Sequence, residues 1–340
     1  AHIGATSGRG TSSSTAPCTS KKSAKPLASA CSTPTPKKGL SDHPRAGFFA
    51  TVHDRVAAGC TPDIREKNYK EYSTRFWEGL CGESRIGKKV KKPDFDKDGK
   101  TSLAEAHAYV VLRSDTIDIP IKTSDVFLRK FSSLTPPKDA KEKAGSESFC
   151  LVGQELKELV KGASRESKAV ANGLSRKLSL NQPKRHEEAK KLLETLKKKR
   201  ASIVAEKKKH DEERGKLRRS LAARLRKKWP ELKNFHHPTV ISLYRTANAD
   251  EVKQTVDGDG SWKRYQELTT KSREKEKERF AIEKKEVLVM RLIRELETIA
   301  LEKNLPLVAD QETVKRFERE PTFSAPRLIG ELTWPCPSRV

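Results

Sequence analysis

The residues from Asp94 to Glu105 carry the clearest chemistry in the chain. Carboxylates recur at Asp94, Asp96 and Asp98, Gly99 follows, and Glu105 closes the run. Such spacing suits a hard divalent cation, which takes six to eight oxygen ligands. In a calcium-binding loop the side chains of Asp94, Asp96 and Asp98 would ligate directly and Lys100 would offer its backbone carbonyl. Ser102 would ligate directly or through water, and Glu105 would close the site from the first turn of the next helix. Gly99 allows the sharp turn. A second chemistry, a cysteine nucleophile with an imidazole base, needs a thiolate within hydrogen-bond reach of a histidine. His53 and Cys60 are the only close pair, and Val56-Ala57-Ala58-Gly59 before Cys60 makes a poor nucleophile strand. Asp257-Gly258-Asp259-Gly260 lacks a twelfth-position acid, and His236-His237 lacks further ligands, so neither reads as a metal site.

The 94–105 spacing resembles an EF-hand loop at every ligand position. Lysines at 88, 89, 91, 92, 97 and 100 surround it and repel a dication. Thr101 stands at the eighth position, usually aliphatic. Weak calcium affinity and a bracing role are the expectation.

The elements around this loop are apolar. Gly47 to Val52 reads as a short buried strand. Residues 68–80 predict a helix with Tyr69, Tyr72, Phe76 and Leu80 on one face and Gly82 as its stop. Ser102 to Leu112 stripes Leu103, Ala106, Val110 and Val111. Thr123-Ser124-Asp125 predicts the cap of a helix bearing Val126, Phe127, Leu128 and Phe131.

Taken together, Gly47-Phe48-Phe49-Ala50-Thr51, Ala58 to Asp63, Tyr72 to Trp77, Asp94 to Tyr109 and Ser114 to Pro120 resemble the C-terminal half of a bacterial caspase/legumain-like cysteine peptidase domain, over about residues 39–131. The resemblance implies a parallel sheet with a catalytic His and Cys at the ends of successive strands. Both belong upstream of the matched part, and no such strand precedes Gly39. The dyad is therefore carried over to no residue, with His53 and Cys60 as weak candidates only. The expected protein is a catalytically incomplete remnant; an active peptidase is the alternative.

The rest of the chain is polar. Of 340 residues, 34% are hydrophobic and 6% aromatic, and 71 Lys+Arg against 46 Asp+Glu give a net charge of +25. One core filling the whole chain is excluded on that composition, and the excess of positive charge suggests polyanion contact. No run approaches 18 apolar residues, so no membrane span is expected. Six cysteines without C-x-x-C spacing read as free thiols in a reducing, cytoplasmic compartment. Residues 1–38, rich in Ser, Thr, Pro and Lys, read as disordered, and the abrupt composition change near Pro36 suggests that they are not the natural start of the following domain.

The expected architecture is mainly α with a small α/β remnant. A caspase-like segment with its EF-hand-like loop spans 39–135, a charged linker 136–149, a basic helical region 150–305 and a tail 306–340, Pro-rich and loose from Pro321. Within the helical region, 184–228 holds 19 Lys/Arg against 7 Asp/Glu. It pairs with 262–303 in a long antiparallel helical hairpin, a coiled coil, with Leu232 to Asp259 as connector. Val287, Met290, Ile293 and Leu296 should meet the start of the first helix, near Leu192 and Leu196. The basic helices would offer a protein partner or a polyanion such as nucleic acid a solvated cationic face.

Overall fold

A computed structural model describes residues 2–5, 46–58, 71–136, 149–234, 236–245 and 248–319. The protein is mainly α-helical. Its described residues fall into two compact units, residues 1–193 with 286–340 and residues 194–285.

In the first unit, strands β1 (His2–Ala5), β2 (Ala46–Phe49) and β3 (Ile121–Lys122) form a small sheet in the order β1-β2-β3. Both pairings are antiparallel, with Phe48 opposite Lys122 and Phe49 opposite Ile121. The resemblance implies a parallel sheet, so these strands depart from it. The disorder expected over 1–38 does not hold for His2–Ala5. Main-chain pairing with an open strand edge needs no apolar side chain. Residues 6–45, which include Cys18 and Cys31, and residues 59–70, which include Cys60 and Tyr69, lie outside the described residues.

Helix α1 (Tyr72–Cys81) ends at Gly82, whose φ of 74° lets its N–H reach the Glu78 carbonyl. Helix α2 (Leu103–Arg113) starts at Ser102, which accepts from the Glu105 N–H in a capping box. Phe48, Tyr72, Phe76, Ala106 and Val110 form the core between them and β2. Helix α3 (Thr123–Phe131) is capped differently from expectation. The Asp125 carboxylate accepts from the Lys122 N–H, while the Thr123 hydroxyl accepts from Gly47 and ties the helix to β2. Val126 is exposed.

Helices α4 (Leu156–Leu159) and α5 (Arg165–Lys177) follow. The long helix α6 (Arg185–Lys228) matches the expected first arm. The connector between the arms is itself built of short helical elements. It holds a 3₁₀ turn (Pro230–Lys233), α7 (Pro238–Arg245) and α8 (Asn248–Asp257). Helix α9 (Gly260–Val308) runs through Pro306, past the expected end of the helical region at 305, and α10 (Gln311–Arg319) follows. Leu305 is fully buried, and Phe317 and Val314 pack on Leu128 and Leu301. That burial outweighs the helix-breaking tendency of one proline near a helix end. Residues 320–340 lie outside the described residues.

The sequence suggests a division at 136–149, but the segments on either side pack into one unit. Val287 joins Val52, Ile119 and Ile121, with Met290 beside them. The apolar end of α9 thus serves the sheet as well as the helices. Arg291, buried, donates to the carbonyls of Asp118, Val111, Ser114 and Thr116 at 2.7–3.2 Å. Asn304 accepts from the Cys150 N–H at 2.8 Å and donates to the Ser133 and Cys150 carbonyls, each at 3.0 Å. The linker residues 137–148 lie outside the described residues.

In the second unit, α6 and α9 run antiparallel. Lys207 pairs with Glu276 at 3.8 Å, Lys275 with Glu206 at 2.9 Å, Arg264 with Glu213 at 2.9 Å and Arg224 with Asp259 at 2.6 Å. Asp211 accepts from the Ser272 hydroxyl between them. Its apolar seam is thin, with Leu196, Ile203, Leu221 and Leu268 buried.

Candidate metal centre

The loop that precedes α2 turns on two residues with left-handed backbone, Lys97 at φ 65° and Gly99 at φ 80°. The second is the position the spacing reserved for glycine. This turn brings one carboxylate oxygen each from Asp94, Asp96 and Asp98 within 4.8 Å of one another. Local amides hold them there. Asp94 accepts from the Gly99 N–H at 3.2 Å, Asp96 from the Asp98 N–H at 3.1 Å and Asp98 from the Lys100 N–H at 2.8 Å. Three like charges this close repel one another, and an oxygen-seeking dication between them would relieve the repulsion.

Glu105 is brought to the loop but not into that cluster. It is 1% exposed. Its Oε1 accepts from the N–H groups of Phe95 and Asp96, and its Oε2 accepts from the Ser102 N–H at 2.8 Å and the Ser102 hydroxyl at 3.1 Å. The carboxylate therefore stitches the start of the loop to its end and caps α2. Ser102 is committed to that same cap. The donor set suits calcium in its chemistry, three clustered carboxylates with a fourth at the loop's closure. As it stands, Glu105 spends both oxygens on the backbone.

Two further residues shape the loop. Thr101, buried, donates its hydroxyl to the Pro93 carbonyl at 2.9 Å, which closes the base of the loop with a polar bond where an aliphatic side chain is usual. Arg165 at the start of α5 donates to the Asp96 carbonyl at 3.0 Å. Sequence reasoning missed Arg165, because nothing in local spacing links positions 69 apart.

Behind the loop lies a buried polar layer. Tyr72 and His107 Nδ1 meet at 2.8 Å. Burial pulls the His107 imidazole well below its ordinary pKa and pushes the Tyr72 phenol up, so the pair is neutral. His107 is a packing residue, buried beside Tyr72 and Phe48. Tyr109 donates to Glu78 Oε1 at 2.6 Å, and Arg75 grips both oxygens of Glu78 at 2.7 and 2.8 Å. Burial, with that bond to Glu78, raises Tyr109 to about 12.

The cysteine–histidine pair is not assembled among the described residues. His53 lies exposed on a turn, and Cys60 falls outside the described residues. Cys150 is free and buried, its thiol raised by burial. Cys81 is disulfide-bonded, which corrects the expectation of free thiols throughout. Among the described residues no helix is long and apolar enough to cross a membrane. No family model, curated protein or solved structure matches the chain.

Proposed function

We propose that residues 94–105 form a calcium-binding loop that braces a caspase/legumain-like, catalytically incomplete segment, and that the basic helices form a coiled-coil interaction module. The observation that carries the calcium reading is the convergence of Asp94, Asp96 and Asp98 within 4.8 Å on a turn built around Gly99. Asp94, Asp96 and Asp98 would hold the ion, with the Lys100 carbonyl, Ser102 and Glu105 completing the oxygen set. A bound ion would neutralise the triad and fix the start of α2, whose Ala106 and Val110 reach the core around Phe48 and Phe76. Support for the peptidase-like reading is limited to the residues that carry the resemblance, and no residue is assigned to catalysis. The interhelical ion pairs from Lys207–Glu276 to Arg224–Asp259 support the coiled-coil reading.

Calorimetry of the full chain tests the calcium site. The expected result is one site per chain with a Kd on the order of 10⁻⁵–10⁻³ M, since the loop is single and ringed by lysines. Asp94→Ala should abolish the heat. Glu105→Gln should weaken it at least about tenfold, because one of the two acceptor oxygens becomes an amide donor facing backbone N–H groups. Unchanged calcium binding in both variants would overturn the assignment.

A further inference from the structure

We propose that the outward face of α6 within the second unit binds the phosphate backbone of double-stranded nucleic acid, without reading its sequence. Between residues 194 and 228 the chain holds 15 Lys/Arg against 5 Asp/Glu. All five acids are engaged. Glu194 pairs with Lys197, Glu206 with Lys275, Asp211 with Lys207 and Arg214, Glu212 with Lys208 and Glu213 with Arg264. Arg224 also pairs with Asp259 and Lys228 with Glu251, which still leaves an excess of positive charge along the helix.

Most of that excess lies on one side. At 100° per residue, Lys198, Lys209, Lys216, Arg219, Arg226 and Lys227 fall within a face about 100° wide. All six are exposed. The opposite side of the helix is buried at Leu196, Ile203 and Leu221. From Lys198 to Lys227 the face runs about 45 Å. Between the cations it carries small residues, Ala201, Ala205 and Ala223, which let a rod-like polyanion approach the helix closely, and one carboxylate, Glu212, which Lys208 neutralises at 3.9 Å.

The same composition selects among polyanions. An interfacial membrane helix needs a face of large apolar side chains to bury in lipid. Here the large side chains of α6 face inward, and Val204 is its only strongly exposed one in this unit. Single-stranded nucleic acid is held by aromatic stacking, and no aromatic residue occurs from 194 to 228. A duplex asks only for phosphate-spaced cations, and double-stranded DNA offers one charge per about 1.7 Å of axis.

The test is fluorescence anisotropy of a labelled 20-base-pair mixed-sequence duplex with the full chain, over 0.05–0.3 M NaCl. Six phosphate contacts predict a slope of about 5 in log Kd against log salt. Neutralising all six cations to glutamine should weaken binding at least about 30-fold and remove most of that slope. The two half-variants, Lys198/Lys209/Lys216→Gln and Arg219/Arg226/Lys227→Gln, should each lose about half of the log affinity, with helicity checked by circular dichroism. A variant with Lys88, Lys89, Lys91, Lys92, Lys157 and Lys161 changed to glutamine removes the same charge elsewhere and should change Kd less than threefold. Equal losses in both sixfold variants would reduce the effect to net charge and overturn the proposal. So would absence of duplex binding below 100 µM at 0.1 M salt, or tighter binding to vesicles rich in phosphatidylserine than to the duplex.

Discussion

Glu295 shows how one side chain can set a pH response for the whole first unit. It faces Lys122, Ser167, Asp125 and Glu302, and burial raises its carboxyl to about 7 against the pull of Lys122 and of a bond from Ser167. Because the folded pKa lies above the unfolded one, the folded state holds this proton more tightly. The stability it contributes is present below about pH 4.5 and is lost as pH rises through about 7. Glu295→Gln should therefore gain stability relative to the native chain as pH rises across that window, by about 3 kcal/mol at pH 8, and match it at pH 4. Urea melts at several pH values measure the difference, and a gap that does not change with pH would refute it. His107 acts with the opposite sign. Its lowered pKa costs stability as pH falls below about 6.5, but it does so equally in both proteins and cancels in the comparison.

At the scale of elements, the closest approach is between α1 and α2. A Cβ added at Gly79 would lie 2.9 Å from Tyr109 Cδ1, 3.1 Å from its Cγ and 3.3 Å from its Cβ. The ring cannot swing aside, because its hydroxyl is held by Glu78 and Glu78 by Arg75. Gly79→Ala gains about 1 kcal/mol of helix propensity but overpacks a rigid contact at a cost of about 1–3 kcal/mol. The expected net result is a loss of up to about 2 kcal/mol, read as a lower midpoint in chemical denaturation. An unchanged or higher midpoint would mean that the two helices separate freely.

The same pair of helices shows what was legible in the sequence. The stripe Tyr72, Phe76 and Leu80, the stop at Gly82 and the stripe Ala106 and Val110 are local signals, and both helices appear there, the first starting at Tyr72 rather than at 68. The carboxylate triad was legible for the same reason. The role of Glu105 was only half visible. Its spacing marks it as a ligand, while its four bonds to the backbone and to Ser102 follow from the three-dimensional path of the loop. The helices between Pro238 and Asp257 were hidden by turn-forming residues at both ends of the connector. The partners of Val287 and Arg291 were hidden because contacts more than 150 residues apart leave no periodicity in either segment.

For the molecule as a whole, one continuous helix carries two kinds of stability. From Val287 to Leu305 it buries Val287, Val289, Leu292, Leu296, Ile299 and Leu305 almost completely. From Gly260 to Lys285 it relies mainly on Leu268 and on ion pairs such as Arg264–Glu213 and Lys275–Glu206, whose partners are exposed. Ion pairs so open to water are weak, because water and salt screen them. Amide exchange should therefore fall along α9, with residues 260–277 opening at least about 100-fold more often than 287–305. Uniform protection along α9 would show that the ion pairs hold the second unit as firmly as the apolar core holds the first.

The carboxamide of Asn304 has a topological consequence. By bonding Ser133 on one side and both backbone groups of Cys150 on the other, it fastens the two ends of the intervening excursion at one point. The stretch between them is a ring clasped at its neck. The free energy of such a ring depends on its length only logarithmically, about 0.6 kcal/mol for each doubling. The clasp lets that stretch lengthen, shorten or change in sequence while the helices it joins keep their places, and it concentrates the cost of any failure in a single amide side chain.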